Sequence, residues 1–325
     1  MALAFLKRLR IPIAIGALLA LNFVFKNYVN PYVTQIVCMI GINIIMATSL
    51  SLINGHTGQF SIGHAGFMAV GAYTSAAITV YGHNAVLSAF HFLPAELVQD
   101  IFFILAVMAG GLAASFAGLF VGIPALRLRG DYLAIATLGF GEIIRVVILN
   151  LDVIGGARGF GDIPEYANFF WIYLFALLTV VLISRMVYSV RGSAFLTIRE
   201  DEIAAESIGI PTARYKTIAF CVGSFFAGIG GGLFAHLFTY LHTNSFTFLR
   251  SIEFVVMVVL GGMGSITGAI LAAVVLTILP EALRAASEWR MVVYSLLLIS
   301  MMLLRPQGLF GLKEWNPFNK AKKCS

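Results

Sequence analysis

The chain has 325 residues, is 60% hydrophobic and only 11% charged, and has a mean hydropathy of +0.94. That composition excludes a soluble globular domain and matches a chain whose solvent is largely lipid. The net charge of +6 does not mark a nucleic-acid surface, because Lys and Arg fall between apolar runs instead of clustering on one soluble face.

The expected fold class is all-α and polytopic. Several windows reach the roughly 20 apolar residues that cross about 30 Å of hydrocarbon at ~1.5 Å per residue, unlike the alternating strands of an outer-membrane barrel. In chain order the windows are residues 11–25, 32–53, 60–81, 101–123, 132–149, 169–188, 215–240, 252–279 and 291–304. Lys7, Arg8 and Arg10 precede the first, which is read as a retained span because no small-x-small cleavage site follows before Lys26. Placing the N-terminus, the Arg127/Arg129 turn, the loop around residues 191–216 with its flank Arg185, and the tail 305–325 in the cytoplasm puts 15 of the 21 Lys and Arg inside. The positive-inside rule favours that arrangement.

Both termini inside require an even number of crossings. The window 252–279 resolves the odd count, since "LGGMGSITGAI" (260–270) is expected to break it into half-helices that dip and return before Pro280 closes it, leaving 281–290 outside. The expectation is eight full crossings plus at least one re-entrant element, with ten short crossings as the competing count, in one transmembrane domain over 1–325.

At the boundary of an early window, "NGHTGQFSIGHAGFMAVGAYTSA" (54–76) mixes five glycines with polar side chains. Irregular backbone at membrane depth survives only inside protein or beside a water-filled cavity, and broken helices frame sites in transporters. Asn54, Gln59, Ser61 and His64 are therefore candidates for a translocation path; the competing reading is an ordinary turn over 54–59 and a packing histidine at 64. Ala106, Gly110, Ala114, Gly118 and Gly122 repeat every fourth residue, as do Ala227/Gly231 and Gly228/Gly232, which reads as tight helix packing. In "LRGDYLAIATLGFGEIIR" (128–145), Glu142 and Arg145 stand one turn apart inside a span: a structural ion pair, or else a gate or substrate contact. Gly58-x-x-Ser61-Ile62-x-x-Ala65 recurs as Gly262-x-x-Ser265-Ile266-x-x-Ala269, a partial echo at two points where spans break.

Of the 21 basic and 15 acidic residues, eight lie between Arg191 and Lys216. Within that stretch Thr197-x-x-Glu200 matches a capping box, Gly209 suits the position after a helix and Pro211 prevents continuation, so a short helix is expected at 198–208. Ala204, Ala205 and Ile208 give it a small apolar side beside Arg199, Glu200, Asp201 and Glu202. Cys38 and Cys221 sit in apolar segments as small packing residues, and with Cys324 they form neither a disulfide framework nor a metal site.

Together "GQFSIGHAGFMAVGAYTSA", "LRGDYLAIATLGFGEIIR", "REDEIAAESIGI", "VVLGGMGSITG" and "LLRPQGLFG" resemble, over about residues 32–311, the LivM-type permeases of ABC importers for branched-chain amino acids. The resemblance implies the ABC importer permease architecture. It also implies that 193–211 is a cytoplasmic coupling loop and helix docking into a separate ATPase, through Arg199, Glu200, Asp201, Glu202, Ala204, Ala205 and Gly209. In the importer pattern Glu-Ala-Ala-x-x-x-Gly the Glu position falls here on Ile203, beside Glu202.

Such a subunit is not an enzyme. It contains no G-x-x-x-x-G-K-[ST] loop, so ATP and Mg are expected in two partner ATPases, with a LivH-like second permease and a periplasmic or extracellular binding protein completing the system. The implied location is the bacterial inner membrane, multi-pass, both termini cytoplasmic. Alternatives are the same architecture importing urea, short amides or aromatic acids, an ion-coupled secondary transporter or channel acting alone, or a scaffold subunit with no path of its own.

Overall fold

The computed structural model describes residues 16, 18–25, 28–89, 94–125 and 131–286, and positions 292, 295, 296 and 299. Lys7, Arg8 and Arg10, the Arg127/Arg129 turn, part of the window 11–25, most of the window 291–304, and the tail with Cys324 lie outside the described residues. Within lipid each backbone group must find its partner inside its own segment. Accordingly the described residues form helices and their connections, the longest being residues 150–168, with one isolated β-bridge between Phe160 and Leu241.

The helices are α1 (Pro31–Leu50, extended by a π-helical turn Ser51–His56), α2 (His64–Ala89), α3 (Ala95–Ala125), α4 (Asp131–Leu149), α5 (Phe169–Val187), α6 (Ser193–Glu200), α7 (Glu202–Ser207), α8 (Thr212–Phe238), α9 (Phe248–Gly261) and α10 (Ile266–Ala282). Six of the described segments are long and apolar enough to cross a membrane. Local chemistry sets several boundaries. Asn30 Oδ1 accepts from Tyr32 N at 3.0 Å ahead of Pro31 at the first position of α1, and Ser265 Oγ accepts from Gly268 N at 3.1 Å to start α10.

At one end of the bundle Phe160 bridges Leu241, Tyr240 Oη donates to Arg158 O at 2.6 Å, and Tyr81 Oη donates to Val153 O. At the other end lie α6 and α7. The α1 to α5 and α8 to α10 helices pass between these ends in alternation.

The centre is a three-helix cluster of α2, α3 and α8, made possible by the small residues. Gly71 backs onto the Gly228 backbone, a Cβ on Gly110 would lie 2.6 Å from Gly71 O, and one on Gly228 would meet the Ala114 Cβ at 2.5 Å. Ala106, Gly110, Ala114, Gly118 and Gly122 are all buried. Close backbone approach replaces the hydrophobic drive that is missing between helices in lipid.

The window 252–279 breaks where expected, at residues 262–265, and the two arms return to the same end. The hairpin is deep. α10 lies antiparallel to α1 along its length: Gly264 touches Gly55 at one end, Asn43 Nδ2 donates to Thr277 Oγ1 at 2.7 Å midway, and Tyr32 Oη meets Glu281 and accepts from Arg284 Nη1 at 2.6 Å at the other. Pro280 does not close the helix, which runs on to Ala282; so near the C-terminus the missing amide removes a single bond.

Candidate functional site

The two helix breaks and the α6–α7 pair meet at one end of the bundle. At the first break Asn54 acts as a clamp, its Nδ2 donating to Ser61 O at 3.2 Å and its Oδ1 accepting from Ser61 N at 3.1 Å. The segment between is therefore a braced loop, not an ordinary turn. Thr137 Oγ1 of α4 accepts from Ile62 N at 3.1 Å, and Ser251 Oγ of α9 accepts from Ala65 N at 3.1 Å, so neighbouring helices take up amides that the loop leaves unpaired.

His64 is wholly buried. Its Nε2 shares a 2.8 Å hydrogen bond with Ser49 Oγ, while Nδ1 has no partner among the described residues. Both amide atoms of Gln59 and the hydroxyls of Ser61 and Ser51 are likewise buried and unpartnered there. Unpaired buried polar groups cost about 1–3 kcal/mol each. The first break thus gathers several unpaired donors and acceptors in the protein interior. The sequence echo falls on the two breaks, with a difference: Ser265 caps α10, whereas Ser61 caps nothing.

The second break abuts the first. A Cβ on Gly55 would lie 2.5 Å from Gly264 N, and Gly264 holds φ at +93°, a conformation that L side chains avoid.

Glu142 and Arg145 pair at 2.7 Å on α4, both part-exposed in mid-helix. Glu142 borders a small cavity with Ile62, Gly66 and Ser251, close to the first break. A second pair of the same spacing, Arg250 with Glu253 at 2.5 Å, sits on α9 with Arg250 Nη2 donating to Asn43 Oδ1 at 3.3 Å. Its i,i+3 signature was as visible in the sequence as that of Glu142 and Arg145. Among the described residues no group of His, Cys, Asp or Glu is arranged to hold a metal. Cys38 is buried and Cys221 half-buried, both as free thiols.

The charged stretch differs from its expected form. Thr197 does not cap a helix over 198–208; it lies inside α6, its Oγ1 donating to Ser193 O at 3.0 Å. Asp201 is extended and starts a second helix, its Oδ1 accepting from Ile203 N at 2.9 Å and Ala204 N at 3.1 Å. A carboxylate four residues later in the chain outcompetes the threonine because it accepts two amides at once. Gly209 does end α7, at φ +85°.

The orientation of the side chains also differs. Ala205 is fully buried against the chain's own body and cannot face a docked protein. Glu202 pairs with Lys216 of α8 at 2.6 Å, Glu206 Oε1 accepts from Thr212 Oγ1 at 2.7 Å, and Asp201 is occupied with capping. Arg199 turns inward, its Nη1 donating to Gly55 O at 3.2 Å. What remains outward is Glu200 with Ala204, Ile203 (67% exposed) and Ile208 (71%), beside an open groove lined by Leu196, Thr197, Glu200, Asp201 and Ala204. Ile203, which occupies the glutamate position of the importer pattern, is thus presented to solvent.

Comparison with known proteins gives a consistent grouping. The family described as branched-chain amino acid transport system / permease component matches residues 32–304. The high-affinity branched-chain amino acid transport system permease protein LivM of Escherichia coli is 36% identical over 328 aligned residues, covering 90% of this chain and 73% of that protein. A probable LivM of Methanocaldococcus jannaschii is 28% identical over 266 residues, or 73% of this chain and 76% of its own. LivH of Escherichia coli is 32% identical over 167 residues, half of this chain and 53% of its own. No solved structure matches.

Proposed function

Because the chain belongs to the permease family of branched-chain amino acid transport systems, we propose that it supplies half of a translocation path for branched-chain, hydrophobic amino acids and is driven by ATPases it does not contain. It is a membrane-spanning permease component of an ABC importer. The observation that carries the mechanism is the α6–α7 pair: an apolar tip of Ile203, Ala204 and Ile208 with Glu200, exposed at the end of the bundle where both helix breaks also lie.

A solute bound equally well in two orientations shifts no equilibrium, so directionality needs a second ligand with differential affinity. In this reading the second ligand is ATP with Mg, bound by two partner ATPases that seat α6–α7 in their grooves. The breaks then exchange partners around the polar groups of Gln59, Ser61 and His64. A LivH-like second permease completes the path, an external binding protein delivers the solute, and the α6–α7 end faces the cytoplasm of the bacterial inner membrane, with both termini on that side.

The test is affinity purification from the native membrane with identification of what co-purifies, followed by leucine uptake in proteoliposomes. Two ATPases and a second permease, with uptake strictly dependent on ATP, are expected. Uptake by this subunit alone, driven by an ion gradient, would overturn the reading.

A further inference from the structure

Arg199 stands in the sequence among the charges of the exposed helix pair, yet its side chain runs into the bundle. Its Nη1 donates to Gly55 O at 3.2 Å. Its stem passes beneath Gly58, with Cγ 3.2 Å from where a Cβ on Gly58 would stand, and the same Nη1 is 2.5 Å from the position of a Cβ on Gly264. Gly55 belongs to the last turn of the α1 helix and its π extension; Gly264 follows the end of α9 by three residues. Carbonyls in a helix's last turn lack an intrahelical donor and carry the negative end of its dipole. One guanidinium, with five donors in a rigid fork, therefore caps the end of the α1 extension and lies against Gly264 of the second break at once.

The other edge of the same fork faces outward. Nε and Nη2 are held by Glu200 Oε1 at 3.2 Å and 2.7 Å, and the Glu200 side chain is 74% exposed. Because Gly55 and Gly264 touch, the two breaks cannot shift independently at this point. Immediately beyond, Asp201 is extended and joins the buried face of α6 (Ala194, Phe195 and Ile198) to α7.

We propose that Arg199 is the positioning residue through which displacement of α6–α7 reaches both helix breaks, with Glu200 as its outer handle; this rests on the reading of α6–α7 as the ATPase-docking element. A partner that engages Glu200 competes for the outer edge of the guanidinium. The inner edge then changes its hold on Gly55 and its packing against Gly264 together. A contact confined to one break would move one arm of the path and leave the other, whereas a shared cation moves both.

The experiment uses the whole complex with ATPases, second permease and binding protein in proteoliposomes. Two single cysteines report separately: Ile203→Cys on the exposed tip, and Met263→Cys, half-exposed in the second break. In the parent, ATPase subunits are expected to protect position 203, and trapping with ATP and vanadate to change the labelling rate at 263. In Arg199→Ala, protection at 203 persists, the response at 263 disappears, and leucine taken up per ATP hydrolysed falls about tenfold, within the usual span of coupling free energies. Arg199→Lys, which keeps the charge and loses the fork, recovers part of the ratio. Glu200→Gln, at an exposed position that does not threaten folding, lowers the ratio with the complex intact. An unchanged ratio and an unchanged 263 response in both Arg199→Lys and Glu200→Gln would overturn the proposal. If position 203 remains unprotected in the parent complex, the docking reading itself fails.

Discussion

Replacing Glu202 by glutamine removes the counter-ion of Lys216, whose side chain is only 9% exposed, while that of Glu202 is 27% exposed. Breaking a fully buried pair from one side costs about 3–5 kcal/mol, because the remaining charge stays desolvated. Lys216 lies in the first turns of α8 and the pair is not wholly enclosed, so the cost is taken here as about 2–3 kcal/mol. At about 1.4 kcal/mol per tenfold, the locally opened state of α7 becomes roughly 30- to 150-fold more populated. The assay is amide hydrogen exchange of the complex, read at Ala205, Ile208 and Ile210, whose amides donate within or just after α7 at 3.0, 3.3 and 3.0 Å. Glu202→Gln should speed their exchange by that factor. Lys216→Met should do so much less, since the part-exposed carboxylate can turn to water. The double variant should return close to the parent, because no charge is then left behind. Equal acceleration in Glu202→Gln and the double variant, with no coupling in the cycle, would refute the argument.

The same logic applies to Glu142 and Arg145: each single neutral replacement should impair insertion or uptake more than the double, and strictly additive losses would argue that each ion acts alone, for instance on solute. Tryptophan at the exposed Ala204 should block ATPase association with the subunit still folded, whereas tryptophan at the buried Ala205 should destabilise α7 itself; co-purification and amide exchange separate the two, and identical outcomes would contradict the assigned faces. Gly71→Val should cost about 1–3 kcal/mol or more by forcing α2 away from α8, seen as a lower melting temperature of the detergent-solubilised complex. An unaltered melting temperature would show that the three-helix cluster is looser than described.

Local chemistry carried much of the architecture. Apolar windows gave the helices, because a lipid solvent leaves the backbone no other economical choice. Glycines at 55–66 and 261–268 placed the two breaks, and the small residues every fourth position marked the surfaces where α3 and α8 approach α2. Gly209 ended α7 as its lack of a Cβ permits, and the i,i+3 spacing of Glu142 and Arg145 gave their pairing. Each of these depends on residues within a turn or two of one another, so a single segment contains the whole cause.

Tertiary structure decided the partners and the faces. Nothing near Glu202 in the chain says that Lys216 will receive it, that Ala205 rather than Ala204 will be covered, or that Arg199 will turn away from solvent towards Gly55, 144 residues earlier. Those outcomes depend on how α6 and α7 seat against the α1 extension and α8, through contacts such as Arg199 with Gly55 and Glu202 with Lys216, which no single segment contains. Charge pattern shows that a stretch must meet water somewhere; only the packed bundle determines which of its ions do.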